Sequence, residues 1–171
     1  ALCDVDENLF AERIKKHFTD KSLREPKLYN DMRKLFEDKS IDAVSVVTPN
    51  HWHALAGIWA IQAGKHASIE KPSCHTIHEG KMLVEAAKKY KVVTQMGNQG
   101  SSDEGVNLTI EWIQNGEIGE VKKVEAFTDR PIWPQGLNVP KGEWVPDTLN
   151  WDLFIGPTKM RPYNSIYTPW N

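Results

Sequence analysis

The stretch IDAVSVVTPNHWHALAGIWAIQAGKHASIEKP, residues 41–72, holds a complete strand–helix–strand unit. Ile41 to Thr48 is an apolar, β-branched run stopped by Pro49, and it reads as a buried strand. Trp52, Leu55, Ala56 and Trp59 then recur at the spacing of one helix face, and Gly64 ends that helix. Ala67 to Glu70 is a second short strand, stopped by Pro72. Two strands joined by a helix imply parallel pairing through a right-handed crossover.

The same rhythm extends both ways. Downstream, Thr76-Ile77-His78-Glu79 is a capping box that opens a helix running to about Tyr90. Lys91 to Met96 is the next strand, and Gly97 turns it. Ser101 or Ser102 starts a helix carrying Val106, Ile110 and Ile113, which Asn115-Gly116 stops. Upstream, Ala1 to Cys3 reads as the tail of a strand ending at Asp4, and Asp6 caps a helix through Phe10, Ile14 and Phe18. Residues 19–29 read as a charged loop broken by Pro26, followed by a short helix with Met32, Leu35 and Phe36 on one face.

The fold class is therefore α/β, built on a parallel sheet. An open doubly wound sheet and part of a (β/α)8 barrel both fit the alternation. A barrel would continue its strand–helix units past Gly119, where this chain changes character. Glu120 to Asp129 reads as a longer strand with partial alternation, and a stretch rich in Pro, Trp and Gly follows. That shift sets the expected domain boundary: residues 1–118 as one domain, 119–171 as the start of a second.

The 171 residues are 40% hydrophobic and 26% charged, which marks a globular chain and not a disordered one. A net charge of -2 gives no basic bias toward nucleic acid or an anionic membrane. No apolar run reaches the roughly 20 residues that a membrane helix needs. Cys3 and Cys74 do not make a disulfide framework. The chain opens Ala1-Leu2-Cys3-Asp4, without Met or a basic-then-apolar leader, so its natural start is expected to lie upstream.

In parallel α/β folds function gathers at the carboxyl ends of the strands. Four successive ends carry Asp4, Thr48-Pro49-Asn50-His51-Trp52-His53, Glu70-Lys71-Pro72 and Gly97-Asn98-Gln99. Asp4 alone reads first as a turn residue, and second as an acceptor for a ribose hydroxyl. Asn50 reads as a helix cap with His53 in the first turn, or both face a ligand at the helix mouth. His51 and His53, two apart, would point away from each other on a helix, and the spacing of Cys74, His75 and His78 fits no zinc pattern, so no metal is expected. Lys71 beside Glu70 is either a surface ion pair or a donor to a ligand hydroxyl. Asn98 is a turn residue or a partner for a carboxamide.

With these motifs the chain resembles the glucose–fructose oxidoreductase / inositol dehydrogenase / rhizopine catabolism family, Gfo/Idh/MocA, over essentially its whole length. TPNxxH at 48–53 followed by EKP at 70–72 is a fairly specific pair, and GEIGEV at 116–121 resembles the family's passage into its second domain. RPIWPQG at 130–136 and LNWDLFIGP at 149–157 resemble a bacterial branch that often carries export signals. The resemblance implies a Rossmann domain followed by an open, mostly antiparallel sheet domain. It implies an NAD-dependent oxidoreductase that moves a hydride between a sugar, polyol or glycoside carbon and nicotinamide.

It also implies roles. Asp4 would hold the adenosine ribose and favour NAD over NADP. Thr48, Pro49, Asn50 and His53 would line the cofactor. Glu70 and Lys71 would flank the nicotinamide ribose, Lys71 also touching the reacting hydroxyl, with Asn98 near the nicotinamide. Arg130 and Trp133 would face the sugar, although a Trp packed in a core is the simpler reading of Trp133. The glycine-rich phosphate loop and the proton-transfer histidine of the family are expected outside residues 1–171. The first strand of the 3-2-1-4-5-6 order is expected to be missing, so that the piece alone should neither fold well nor catalyse. Two rivals share the fold: an NAD-dependent glycosidase working by oxidation and elimination, and a non-catalytic NAD- or sugar-binding module. The expected partner is a small sugar or glycoside, with neither nucleic acid nor a membrane span, in a homo-oligomer when full length. The branch resemblance leans toward the periplasm over the cytoplasm.

Overall fold

The computed structural model describes residues 1–20, 24–128 and 138–168. They form two compact units, Ala1–Gly97 with Lys141–Asn171, and Asn98–Pro140. The expected boundary at Gly119 falls inside the second unit, and the described residues after Lys141 pack with the first. Among the described residues no helix is long and apolar enough to cross a membrane.

In the first unit the chain runs β1 (Leu2–Cys3), α1 (Asn8–His17), β2 (Leu28–Tyr29), α2 (Met32–Glu37), β3 (Ala43–Val46), α3 (His53–Gln62), β4 (His66–Glu70), α4 (Ile77–Tyr90) and β5 (Thr94–Gly97), and adds α6 (Trp151–Ile155). The strands form two parallel groups, β1–β2 and β3–β4–β5. Leu2 pairs with Leu28 in the first, and Val46 with Ile69 and Glu70 with Gly97 in the second. These groups correspond to strands 3-2 and 4-5-6 of the doubly wound order. Among the described residues no strand joins β1 to β3.

The core explains the arrangement. Helix α3 buries Ala54, Ala56, Gly57, Ala60 and Ile61, which leaves little of its circumference polar, and it packs against α2, α4, β3 and β4. A helix apolar on most sides is an interior helix and not a one-faced one. Ala60, Ile61, Ala67 and Ile69 lie at the centre of the cluster, joined by Leu35, Phe36 and Val46. Lys65 is also buried, and its ammonium donates to the Asp38 and Ile41 carbonyls at 2.7 and 2.8 Å, which ties the turn after α3 to the approach to β3. A second cluster, Leu149, Trp151, Ile155 and Tyr163, packs on Val5. The Asp6–Leu149 bridge and the Asn150 N–H donated to the Val5 carbonyl at 2.8 Å hold it there.

The capping box at Thr76 and Glu79 forms as read, with Lys91 closing α4 in a left-handed conformation. Several expectations need correction. Residues 28–29 are a strand and not loop: Tyr29 is anchored by its hydroxyl donating to Asp38 at 2.7 Å, a contact no local pattern announces. Asp6 stands one residue before the cap position of α1, where its carboxylate accepts from Asn8 N. The run at 41–48 is only half buried, because α3 covers the Val44 and Val46 side while Ala43, Ser45 and Val47 stay exposed. In the second unit a short 3-10 turn occupies Gln99–Ser102, and Asp103, not a serine, caps α5 (Glu104–Gln114) by accepting from Gly105 N at 2.8 Å. Residues 120–128 form no strand. Val124 and Phe127 are exposed, and no described strand lies alongside to complete a ladder.

Candidate functional site

A cavity of about 320 Å³ lies between β1 and β3, where the doubly wound order would place a further strand, and Cys3, Val44, Val46, Leu35 and Phe36 line it along the strands. Asp4, Thr48 and Pro49 line it together with Trp52, Leu153 and Phe154. Asp4 follows β1 directly, and its carboxylate accepts from Asp6 N at 3.0 Å. Burial raises the Asp4 carboxyl above the ordinary aspartate range, and backbone N–H donors from Asp6 and Val5 oppose that shift. Burial also pushes the neighbouring Cys3 thiol up to about 12, with Asp4 and Asp31 adding to it, so Cys3 is an inert thiol.

Thr48 carries the feature that bears most on a ligand. Its hydroxyl is buried and finds no hydrogen-bond partner among the described residues. A buried hydroxyl is ordinarily hydrogen-bonded, and a water, a ligand or a further residue would each complete this one. The cavity thus has a carboxylate at one strand end and a hydroxyl at the next.

The next two strand ends are built from each other. Glu70 ends β4 beside Gly97 of β5, and a Cβ on Gly97 would run into the Glu70 carboxylate. A larger residue at 97 would have to push the Glu70 carboxylate aside. The carboxylate turns back to accept from Lys71 N at 3.1 Å. Lys71 is exposed and precedes a cis bond to Pro72. Asn50 is exposed and caps nothing: Pro49 holds the position before the 3-10 turn Asn50–Trp52. Asn98 belongs to the second unit, where its side-chain amide donates to the Ser101 hydroxyl at 2.7 Å.

His53 departs from expectation. It is 2% exposed, with Nδ1 2.7 Å from the Pro72 carbonyl and Nε2 2.7 Å from the Thr48 carbonyl. Both ring nitrogens face backbone carbonyls and not the cavity. The structure thus brings Asp4, Thr48 and Pro49 to one cavity. Asn50, His53, Glu70 and Lys71 lie outside that lining. Arg130 and Trp133 lie outside the described residues.

Further contributors show no sign of this role in the sequence. His51 donates from Nε2 to the Phe154 carbonyl at 2.8 Å, and Trp52 donates from Nε1 to the Leu153 carbonyl at 2.9 Å. These bonds dock α6 against the turn after β3 and bring Leu153 and Phe154 to the cavity. Asn150 caps α6 by accepting from Leu153 N, and Gly156 ends it at φ +53° with no room for a side chain against the Trp52 indole. The LNWDLFIGP motif was legible as a motif. Its return to a strand end about a hundred residues earlier was not.

A sequence model of the oxidoreductase family with an NAD-binding Rossmann fold, Gfo/Idh/MocA, matches residues 9–98, more than half of the chain. The levoglucosan dehydrogenase of Pseudarthrobacter phenanthrenivorans is 35% identical over 92 residues, 54% of this chain and 24% of that protein. A glycosyl hydrolase family 109 protein of Phocaeicola vulgatus is 32% identical over 146 residues, 81% of this chain and 31% of that protein. The crystal structure of an NAD binding oxidoreductase from Klebsiella pneumoniae aligns with a TM-score of 0.56 at 28% identity, covering 70% of this chain and 30% of that one. A myo-inositol 2-dehydrogenase from Lactobacillus plantarum, at 22% identity and a TM-score of 0.60 over 70% of this chain and 34% of that one, shares the fold. The chain spans about a quarter to a third of the length of these relatives.

Proposed function

The chain belongs to the Gfo/Idh/MocA family of NAD-binding Rossmann oxidoreductases, and on that premise we propose that the protein moves a hydride between a sugar or polyol hydroxyl carbon and nicotinamide. The observation that carries this reading is the pairing, in one cavity, of the Asp4 carboxylate with the unsatisfied Thr48 hydroxyl. Asp4 accepts from the adenosine ribose hydroxyls and, being negative, repels a 2′-phosphate, which favours NAD over NADP. Thr48, Pro49 and Asn50 border the cofactor. When bound, nicotinamide supplies the hydride acceptor. Lys71 donates to the substrate hydroxyl and polarises it, Glu70 flanks the nicotinamide ribose, and Asn98 partners the carboxamide. Arg130 and Trp133 face the sugar. The proton leaves to a base outside residues 1–171.

The division into a dinucleotide-binding domain, 1–118, and a substrate domain beginning at 119 is part of the same reading, with 141–168 as the portion that packs back. So are a homo-oligomer and export. A second reading is favoured by one observation. The family 109 glycosyl hydrolase matches more of this chain than the levoglucosan dehydrogenase does, 81% against 54%. In an NAD-dependent glycosidase the same residues would oxidise the sugar, assist elimination and return the hydride, with no net NADH.

The test uses the whole protein. Purified without added cofactor and denatured, it is expected to release NAD(H), or else to bind added NAD+. If the protein does neither, the roles of Asp4 and Thr48 have to be withdrawn. Lys71→Ala should lower turnover at least a hundredfold, the usual order for losing a group that handles a proton or its hydroxyl, with NAD+ affinity nearly unchanged. Equal turnover would take Lys71 out of the mechanism. Free sugar from a glycoside without NADH would favour the glycosidase.

A further inference from the structure

His53 is the first residue of α3 and the last of the TPNxxH motif, and it is buried. Its two ring nitrogens point at two carbonyls that belong to different strand ends. Nε2 is 2.7 Å from the oxygen of Thr48, whose hydroxyl is the unsatisfied group of the cavity. Nδ1 is 2.7 Å from the oxygen of Pro72, the residue after Lys71. A carbonyl oxygen only accepts and a neutral imidazole carries one N–H, so donating to both carbonyls at once takes the doubly protonated ring.

We propose that His53 is a positioning residue for Lys71: its imidazole clamps the loop after β4 to the end of β3 and so sets where the Lys71 side chain emerges beside the cofactor. The proposal rests on the proposed function for what Lys71 does there. The geometry stands apart from that reading. Between β3 and β4 the ladder bonds end at the Val46–Ile69 pair. Beyond that point Glu70 still pairs with Gly97 of β5, and Lys71 N donates to the Glu70 carboxylate at 3.1 Å. The Pro72 carbonyl held by His53 ties the loop to the rest of the unit. The TPNxxH and EKP motifs are then one device and not two, because the histidine of the first holds the backbone of the second. A surface ion pair could not do this work, since an exposed pair contributes little and does not fix a backbone.

Two conservative variants separate the two bonds. An asparagine amide nitrogen lies near the place of a histidine Nδ1, and a glutamine amide nitrogen near that of Nε2. His53→Asn keeps a donor toward Pro72, whereas His53→Gln keeps a donor toward Thr48. The measurement is amide hydrogen exchange at Lys71, Ser73 and Cys74 in the whole protein, without cofactor. Losing the Pro72 bond should speed that exchange about tenfold in His53→Gln, the equivalent of roughly 1.4 kcal/mol. In His53→Asn the rate should return close to wild type, and the amides of β3 and β4 should stay unchanged in both. A uniform rise across α3, β3 and β4 in both variants would overturn the proposal in favour of a purely packed histidine. So would unchanged exchange in His53→Gln. NAD+ titration of the wild type runs in parallel. If wild type fails to bind NAD+, the proposed function falls, while the exchange result still decides whether His53 holds the loop.

Discussion

Strands β3, β4 and β5 are joined by helices that also cover them, whereas β1 and β2 pair with each other and take much of their support from residues near position 150. In the first group each element meets its sequence neighbour: α3 packs on β3 and β4, and α4 packs on α3. In the second group the Glu7 N–H donates to the Thr148 carbonyl at 3.0 Å, the Asn8 side chain reaches the Thr148 hydroxyl, and Val5 packs under the Trp151 cluster. Both groups contribute a wall to the same cavity. One wall is held by local chemistry and the other by distant chemistry. The two should therefore fail under different substitutions.

The largest effect should come from Trp151. It is 8% exposed, stacks on Phe154 at 5.1 Å, meets Tyr163 edge-on and donates from Nε1 to the Arg161 carbonyl at 2.8 Å. Trp151→Ala should cost about 3–5 kcal/mol of local stability, the range for removing a buried tryptophan. Hydrogen exchange should speed up in α6 and at Leu2 to Val5 while β4 keeps its protection. Loss of protection across both groups would show that the two walls are one cooperative unit and would break the comparison.

A smaller effect tests the local wall. Thr76 accepts from Glu79 N at 3.1 Å, and the Glu79 carboxylate accepts from Thr76 N and His75 N, contacts that hold the Glu79 carboxyl below its ordinary range. Thr76→Ala should cost about 1 kcal/mol, as cap removals do. A denaturant titration followed through β4 and β5 should shift by that amount, and the Trp151 cluster should not respond. No shift would mean that α4 owes its start to packing alone.

This contrast also explains how much could be read in advance. The strands at 41–48 and 67–70, the helix ending at Gly64 and the box at Thr76 came from periodicity and capping, because their partners lie within about thirty residues. Tyr29 gave no such signal, since a two-residue strand has no period and its anchor, Asp38, is a side chain on another element. Trp151, Leu153 and Phe154 were visible only as a motif. Asp4 and Thr48 were placed correctly at strand ends by the rule of parallel sheets. The approach of the Glu70 carboxylate to Gly97 has no local signal, because the two residues meet only through the pairing of β4 with β5. His53 shows the limit most clearly. Its position in the motif was legible, but whether its ring faces a ligand or two carbonyls depends on where a loop nineteen residues later returns.

The finest test concerns two carboxylates near β1 and β2 that the fold treats in opposite ways. Asp38 accepts from Lys27 and from the Tyr29 hydroxyl, which hold its carboxyl well below the ordinary range. Its contribution is present above the unfolded value near 3.8 and is lost as pH falls through the lower folded value. Asp4 is raised, chiefly by burial. Its folded form resists ionisation, so the fold binds a proton more readily than the unfolded chain does, and stability declines as pH rises from 3.8 through the higher folded value. Asp4→Asn keeps an oxygen to accept from Asp6 N and removes the charge. Urea titrations from about pH 3 to 7 should then find Asp4→Asn no more stable than wild type at the acid end and more stable near neutrality. Asp38→Asn should lose stability near neutrality instead. An advantage for Asp4→Asn that is the same at every pH would mean that the Asp4 charge is not the cause. Destabilisation at neutral pH would mean that the carboxylate already has a stabilising partner in the apo protein, and its availability to a ribose would then have to be given up.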